Sequence, residues 1–155
     1  MIALSCLYLS CKVEETPVSI DRLLKFSGTQ EGVGSDDIID GELVVLEALS
    51  TSLVVHHPHQ DMRRYVESFP AGKLGGIHGG EKHLLELAEL ILTDTYHTDL
   101  CLRLPPHIIA LGCIYMANAL EGRNVLPAVC NEIHVDENEV LAVASEMVNY
   151  YRVVS

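Results

Sequence analysis

Apolar residues along the chain recur at intervals of three and four, and no stretch keeps the alternation of a strand, so the pattern predicts helices almost throughout. Residues 2–15, IALSCLYLSCKVEE, are apolar nearly all round until Lys12, as in a helix surrounded by others. Thr16-Pro17 stops it. A shorter helix is predicted over 19–26 through Ile20, Leu23, Leu24 and Phe26, followed by the flexible connection SGTQEGVGS. Ser35 reads as the N-cap of the next helix, with Asp36 and Asp37 in the favourable first turn and Ile38, Ile39, Leu43, Leu46 and Leu49 along one side. Pro58 opens a helix over 58–69, with Met62, Tyr65, Val66 and Phe69 at helical spacing, and the glycine-rich PAGKLGGIHGG after it is a loop. Helices are predicted over 81–95, over 107–121 behind Pro105-Pro106, over 126–134, and over 136–153, where Asp136, Glu137 and Glu139 meet the positive helix end. The sum is eight helices and an all-α chain.

An internal repeat orders these helices. Shifted by 107 positions, IALSCLYLSCKVE from Ile2 aligns with IALGCIYMANALE from Ile109, pairing Cys6 with Cys113, Tyr8 with Tyr115 and Glu14 with Glu121. Each copy continues into a short helix and then an acidic-starting one, where DGELVVLEAL (40–49) loosely parallels ENEVLAVASE (137–146). Two further helices precede the second copy, while the first begins at Met1, so the first unit is expected to lack its opening helices and to leave apolar surface on 2–15 uncovered. The repeat isolates what is unique: Lys12 stands opposite Ala119 and Glu15 opposite Gly122. Glu14 and Glu15 also face the negative end of the helix dipole, where a carboxylate costs a few tenths of a kcal/mol. Glu14 recurs as Glu121, but Lys12 and Glu15 occur once in the duplicated unit, and a local departure made only once points to function.

Charge and cysteine content narrow the partners. Ten basic against twenty-two acidic side chains give a net charge of -12, which repels phosphate backbones and anionic lipid, so neither nucleic acid nor a membrane is an expected direct partner. The longest apolar run, Ile108 to Leu120, falls short of the ~20 residues of a membrane span. The five cysteines form an odd set without C-x-x-C, and all but Cys101 lie within apolar helical patterns, which suits a reducing compartment, nucleus or cytosol.

The stretches CLYLSCKVEE (6–15), DGELVVLEAL (40–49), LVVHHPH (53–59) and DTYHTDLCLRLPPHIIALGCIYMA (94–117), in this order, resemble the cyclin family, in particular cyclins of the C type, the regulatory partners of the Mediator-associated cyclin-dependent kinase. The resemblance covers nearly the whole chain. It implies the cyclin fold, two tandem helical cyclin boxes with the first N-terminally truncated, 1–55 being the C-terminal part of the first box and 56–155 the second. It implies a nuclear regulator of RNA polymerase II transcription that is not an enzyme, needs no cofactor, and works with a cyclin-dependent protein kinase and the Mediator kinase-module subunits. In the family the lysine of the KVEE stretch and a glutamate near the start of a later helix form a charged pair on the kinase-facing surface; carried over, these are Lys12 and Glu42, with Glu14 and Glu15 belonging to the same motif. The residue types suit the task, since a lysine supplies three donors and a carboxylate accepts main-chain N–H groups.

Other candidate chemistry does not assemble. His56, His57 and His59 flank Pro58 without a second ligand pair at zinc spacing, so no metal site is expected. Gly75 and Gly80 are followed by Glu81 where a phosphate loop needs lysine, and Gly32 with Gly34 lacks the third glycine of a dinucleotide site. Ser, His and Asp occur without a nucleophile elbow. The repeated Tyr8, Tyr115, Cys6 and Cys113 read most simply as core. Beside the kinase regulator stand two alternatives, a cyclin-fold scaffold that binds transcription proteins without activating a kinase, and an inactive truncated cyclin.

Overall fold

A computed structural model of the chain describes residues 1–28, 32–68, 80–124 and 126–154. Among them are nine helices and no strand: α1 (Ile2–Val13), α2 (Ile20–Ser27), α3 (Ser35–Ala48), α4 (Pro58–Ser68), α5 (Gly80–Thr95), α6 (Leu100–Arg103), α7 (Pro106–Leu120), α8 (Leu126–Ile133) and α9 (Glu137–Val154). Eight correspond to the predicted elements, and α6 is the addition. Its four residues are too few to display a helical period, so the pattern read it as connection. The predicted anchor Phe69 and positions 29–31 and 70–79 of the two glycine-rich connections lie outside the described residues.

The chain divides into two compact units, Met1–Val55 and His56–Ser155. In the first, α1, α2 and α3 pack on one another. Ser19 caps α2 by accepting a hydrogen bond from the Arg22 backbone N–H at 3.4 Å. The start of α3 departs from expectation: Gly34 is the N-cap and Ser35 the first helical residue, because Asp37 Oδ2 accepts the Gly34 N–H at 2.7 Å and so anchors the turn one residue earlier. The side of α3 that faces inward is also narrower than its apolar pattern. Ile38, Gly41 and Glu42 are buried, while Ile39, Leu43 and Leu49 are exposed. The reason is close approach to α1: a Cβ at Gly41 would overlap Ser5 Oγ and lie 3.1 Å from Ser5 Cβ, so the small Ser5 side chain seats against the glycine and the larger apolar residues beside it are turned away. Among the described residues of this unit the buried apolar side chains are Leu9, Leu23 and Ile38, and Ile2, Leu7 and Phe26 stand exposed.

The second unit is built around α7, whose residues 108–118 are buried except for the half-buried Tyr115. Helices α4, α5, α6 and α9 pack against it, and α8 packs on α9. Here too one glycine sets the crossing, since a Cβ at Gly112 would come 2.5 Å from Val143 Cγ1 and 2.6 Å from its Cβ. These contacts correct the register of the repeat's second half. Gly41 answers Val143 and the helix starts Ser35 and Glu137 answer each other, all at a shift of 102, so Glu42 falls opposite Ala144. The apparent likeness of 40–49 to 137–146 reflects shared acidic and aliphatic composition, not shared position. Cys113 is buried within α7 and burial pushes its thiol up to about 12, whereas Cys6 is exposed and is not the core residue that the repeat suggested. No helix among the described residues is long and apolar enough to cross a membrane.

A charged pair on the first unit as candidate interaction site

Lys12 lies in the last turn of α1 and Glu42 near the middle of α3, and the glycine-tight crossing at Ser5 and Gly41 brings their helices into reach. Lys12 Nζ donates to Glu42 Oε1 at 2.7 Å and to Oε2 at 2.8 Å. The two sides of the pair differ in exposure. Glu42 is only 8% exposed, while the Lys12 side chain keeps 44% of its surface open to solvent. A carboxylate so enclosed needs a partner, because an unpaired buried charge loses its hydration with nothing in return. Lys12 supplies that partner and still shows its outer side. The hydrogen bond to Glu42 is the main cause that holds the Lys12 ammonium above the usual lysine range, against a smaller opposing effect of burial.

Tyr8 completes the geometry from below. Its ring lies one helical turn before Lys12, and Nζ stands 4.3 Å from the ring centroid, within cation–π range. Helical side chains lean toward the N-terminus, so a lysine at i+4 naturally covers an aromatic at i. Its recurrence as Tyr115 makes Tyr8 look like core; the signal that separates the two is the residue four positions on, Lys12 in one copy and Ala119 in the other.

Glu14 and Glu15 stand at the exposed end of α1. The helix closes there in a Schellman arrangement, with Glu15 N–H donating to Lys12 O at 3.1 Å and Thr16 N–H to Cys11 O at 2.9 Å. That arrangement places Glu15 at φ 52, the left-handed region that glycine normally occupies. The structure thus joins Lys12 with Glu42 and sets Glu14 and Glu15 beside them on the strained, solvent-facing helix end.

The histidines near Pro58 are engaged with an aromatic side chain: His57 Nδ1 and Tyr96 Oη lie 3.3 Å apart, and His59 stacks on Tyr96 with ring centroids 6.2 Å apart. Among the described residues no group of three or more His, Cys, Asp or Glu is placed to hold a metal ion.

No family model matches the chain. Among curated proteins it is similar to Cyclin-C1-1 of Oryza sativa subsp. japonica, at 34% identity in an alignment that covers 97% of this chain and 57% of that protein. It is similar also to Cyclin-C of Rattus norvegicus, at 29% identity over 97% of this chain and 55% of that protein. The RNA polymerase II holoenzyme cyclin-like subunit of Saccharomyces cerevisiae is 31% identical over 79% of this chain and 39% of that protein. The chain therefore spans 55% to 58% of the length of its plant and rat relatives. Among solved structures, a chain of the CAK complex from Chaetomium thermophilum bound to ATP-gamma-S matches with a TM-score of 0.58 and 20% identity, over 93% of this chain and 45% of that one. At that identity the likeness is one of fold.

Proposed function

We propose that this chain is a cyclin, a regulatory partner of a cyclin-dependent kinase acting in RNA polymerase II transcription, since the curated proteins it matches over nearly its whole length are cyclins of the C type. The finer reading is activation of the kinase of the Mediator kinase module, in the nucleus. In it, residues 1–55 are the C-terminal part of a first cyclin box and 56–155 a second box.

The observation that carries the proposal is the Lys12–Glu42 pair. It ties α1 to α3 beside the exposed Ile39, Leu43 and Val44 of α3, so fixed charges adjoin apolar surface. A surface of that composition suits a partner helix with aliphatic residues and unpaired backbone groups nearby. Glu14 and Glu15 extend the same edge with negative charge, and the kinase segment docking there is accordingly basic.

The mechanism is a population shift. A kinase alternates between states in which its regulatory helix is swung out and states in which its lysine–glutamate pair and magnesium site are assembled. A surface that binds the assembled state better raises its population by that difference in affinity, and supplies no catalytic group itself.

The test is affinity and activity of a Mediator-type cyclin-dependent kinase with the 155-residue chain and its variants. Lys12→Ala and Glu42→Ala should each weaken binding by at least ~1 kcal/mol, about fivefold or more in Kd, and lower kinase activation in step. Unchanged affinity in both variants would remove the site assignment.

A further inference from the structure

We propose that Tyr8 is the positioning residue of the Lys12–Glu42 pair: its ring holds the lysine ammonium in one place, so that the pair meets its partner preformed. The consequence for kinase affinity rests on the function proposed above; the positioning itself does not.

Lysine carries four rotatable side-chain bonds, and Lys12 keeps nearly half of its side chain open to solvent, so two hydrogen bonds to one carboxylate leave it free to swing about Glu42. The Tyr8 face at 4.3 Å removes that freedom on the inner side. The ammonium is held between an anion on α3 and a π face on its own helix, and the solvent-facing side is what remains for a partner. Ordering a long side chain before binding lowers the entropy lost on binding, and that is the gain Tyr8 gives to affinity.

The repeat supplies the contrast. Tyr115 occupies the same position in α7, where Ala119 replaces the lysine and the tyrosine packs against the hydrophobic core of the second unit. An aromatic at this position therefore fits the helix in either copy, but among the described residues a cation lies over it only in the first. Truncating each tyrosine separates the two roles.

The experiment compares the full chain with Tyr8→Phe and Tyr8→Leu, each with and without Lys12→Ala, using Tyr115→Leu as the packing control. The first readout needs no partner: NMR of the Lys12 side chain in the free protein. The expected result is upfield ring-current shifts of the Lys12 methylene protons, kept in Tyr8→Phe and lost in Tyr8→Leu. Lys12 signals unmoved by Tyr8→Leu in a folded chain overturn the proposal. The second readout is kinase affinity. Tyr8→Leu should weaken it about two- to fivefold when Lys12 is present and leave it unchanged in Lys12→Ala, with Tyr8→Phe close to the parent. Equal losses with and without Lys12, or a loss no larger than that of Tyr115→Leu, reduce Tyr8 to packing and overturn the proposal. If the parent chain and its variants fail to bind the kinase while the NMR pattern is as expected, the kinase reading falls and the positioning role stands.

Discussion

In the first unit α1 packs on α3, and in the second α7 packs on α9; in both pairs one glycine lets the helices approach, yet the glycine sits on opposite partners. Gly41 of α3 receives Ser5 of α1, whereas Gly112 of α7 receives Val143 of α9. The registers agree all the same, with Ser5 opposite Gly112, Gly41 opposite Val143, and the fully buried Ile38 opposite the fully buried Val140. At the end of the helices the two pairs part. Lys12, Glu42 and Glu15 of the first become Ala119, Ala144 and Gly122 of the second. The second pair also crosses too closely for a Cβ at its glycine, and does so with Ala119 and Ala144 in place of the ion pair, so the charges in the first are not what the crossing requires. The two helix ends make the same point. Both close with Schellman hydrogen bonds, but the left-handed residue is Gly122 at φ 77 in one and Glu15 at φ 52 in the other. Non-glycine residues take the left-handed conformation at Ser50, Thr51 and His134 as well, so it is the charge pair, which packing does not demand, that marks the first unit's end as a surface shaped for contact.

The comparison is open to direct attack, and the largest effect belongs to the crossings. Gly112→Ala should lower stability by about 1–3 kcal/mol, because Val143 is itself buried and has nowhere to move. Val143→Ala in the same chain should restore part of the loss, as read by urea denaturation. A Gly112→Ala chain as stable as the parent would mean that the glycine does not set the crossing. Gly41→Ala should cost less, since the Ser5 hydroxyl can turn aside.

Next in size is the ion pair. Lys12→Ala strips the enclosed Glu42 carboxylate of its partner and should cost about 1–2 kcal/mol, between the exposed and buried limits for such pairs. The double variant with Glu42→Ala should lose less than the sum of the single ones, and strict additivity would mean that the pair contributes nothing. Ala119→Lys, by contrast, should leave stability and kinase affinity unchanged, because Ala144 offers no carboxylate.

Exchanging the helix-end residues should move stability by about 1 kcal/mol in opposite directions, up for Glu15→Gly and down for Gly122→Ala. Glu15→Gly should at the same time weaken kinase binding, and a thermal melt beside an affinity measurement reads both signs. Higher stability with unchanged affinity would sink Glu15 as a contact. The smallest effect is with pH. The Lys12 ammonium is held above the ordinary lysine range, so the pair's contribution is fully present at neutral pH and is lost only as pH rises through that raised value. Lys12→Ala should therefore flatten the stability profile at its alkaline end and leave the neutral region parallel to the parent.

Much of this was legible in the sequence. Periodicity gave eight of the nine helices among the described residues, because long helices with an apolar side repeat often enough to be read. It did not give α6, which is shorter than two turns, nor the N-cap at Gly34, which depends on where one Asp37 oxygen lands. The residues of the candidate site were named from the motif and from their absence in the second copy. Tyr8 was not, because a side chain repeated in both copies looks structural until its neighbour four residues on is seen to reach over it.

The sequence by itself determined the all-helical class, the duplicated unit and the one-sided placement of Lys12 and Glu15, since these follow from local spacing and from comparing the chain with itself. Only the tertiary structure decided which face of α3 turns inward, that Glu42 is enclosed while Lys12 stays open, and that Ser5 meets Gly41. The physical reason is that period and propensity act along one helix, whereas close approach between helices is fixed by the few atoms at their crossing. A missing Cβ at Gly41 outweighed the larger apolar residues beside it, and that choice set the carboxylate of Glu42 against the ammonium of Lys12.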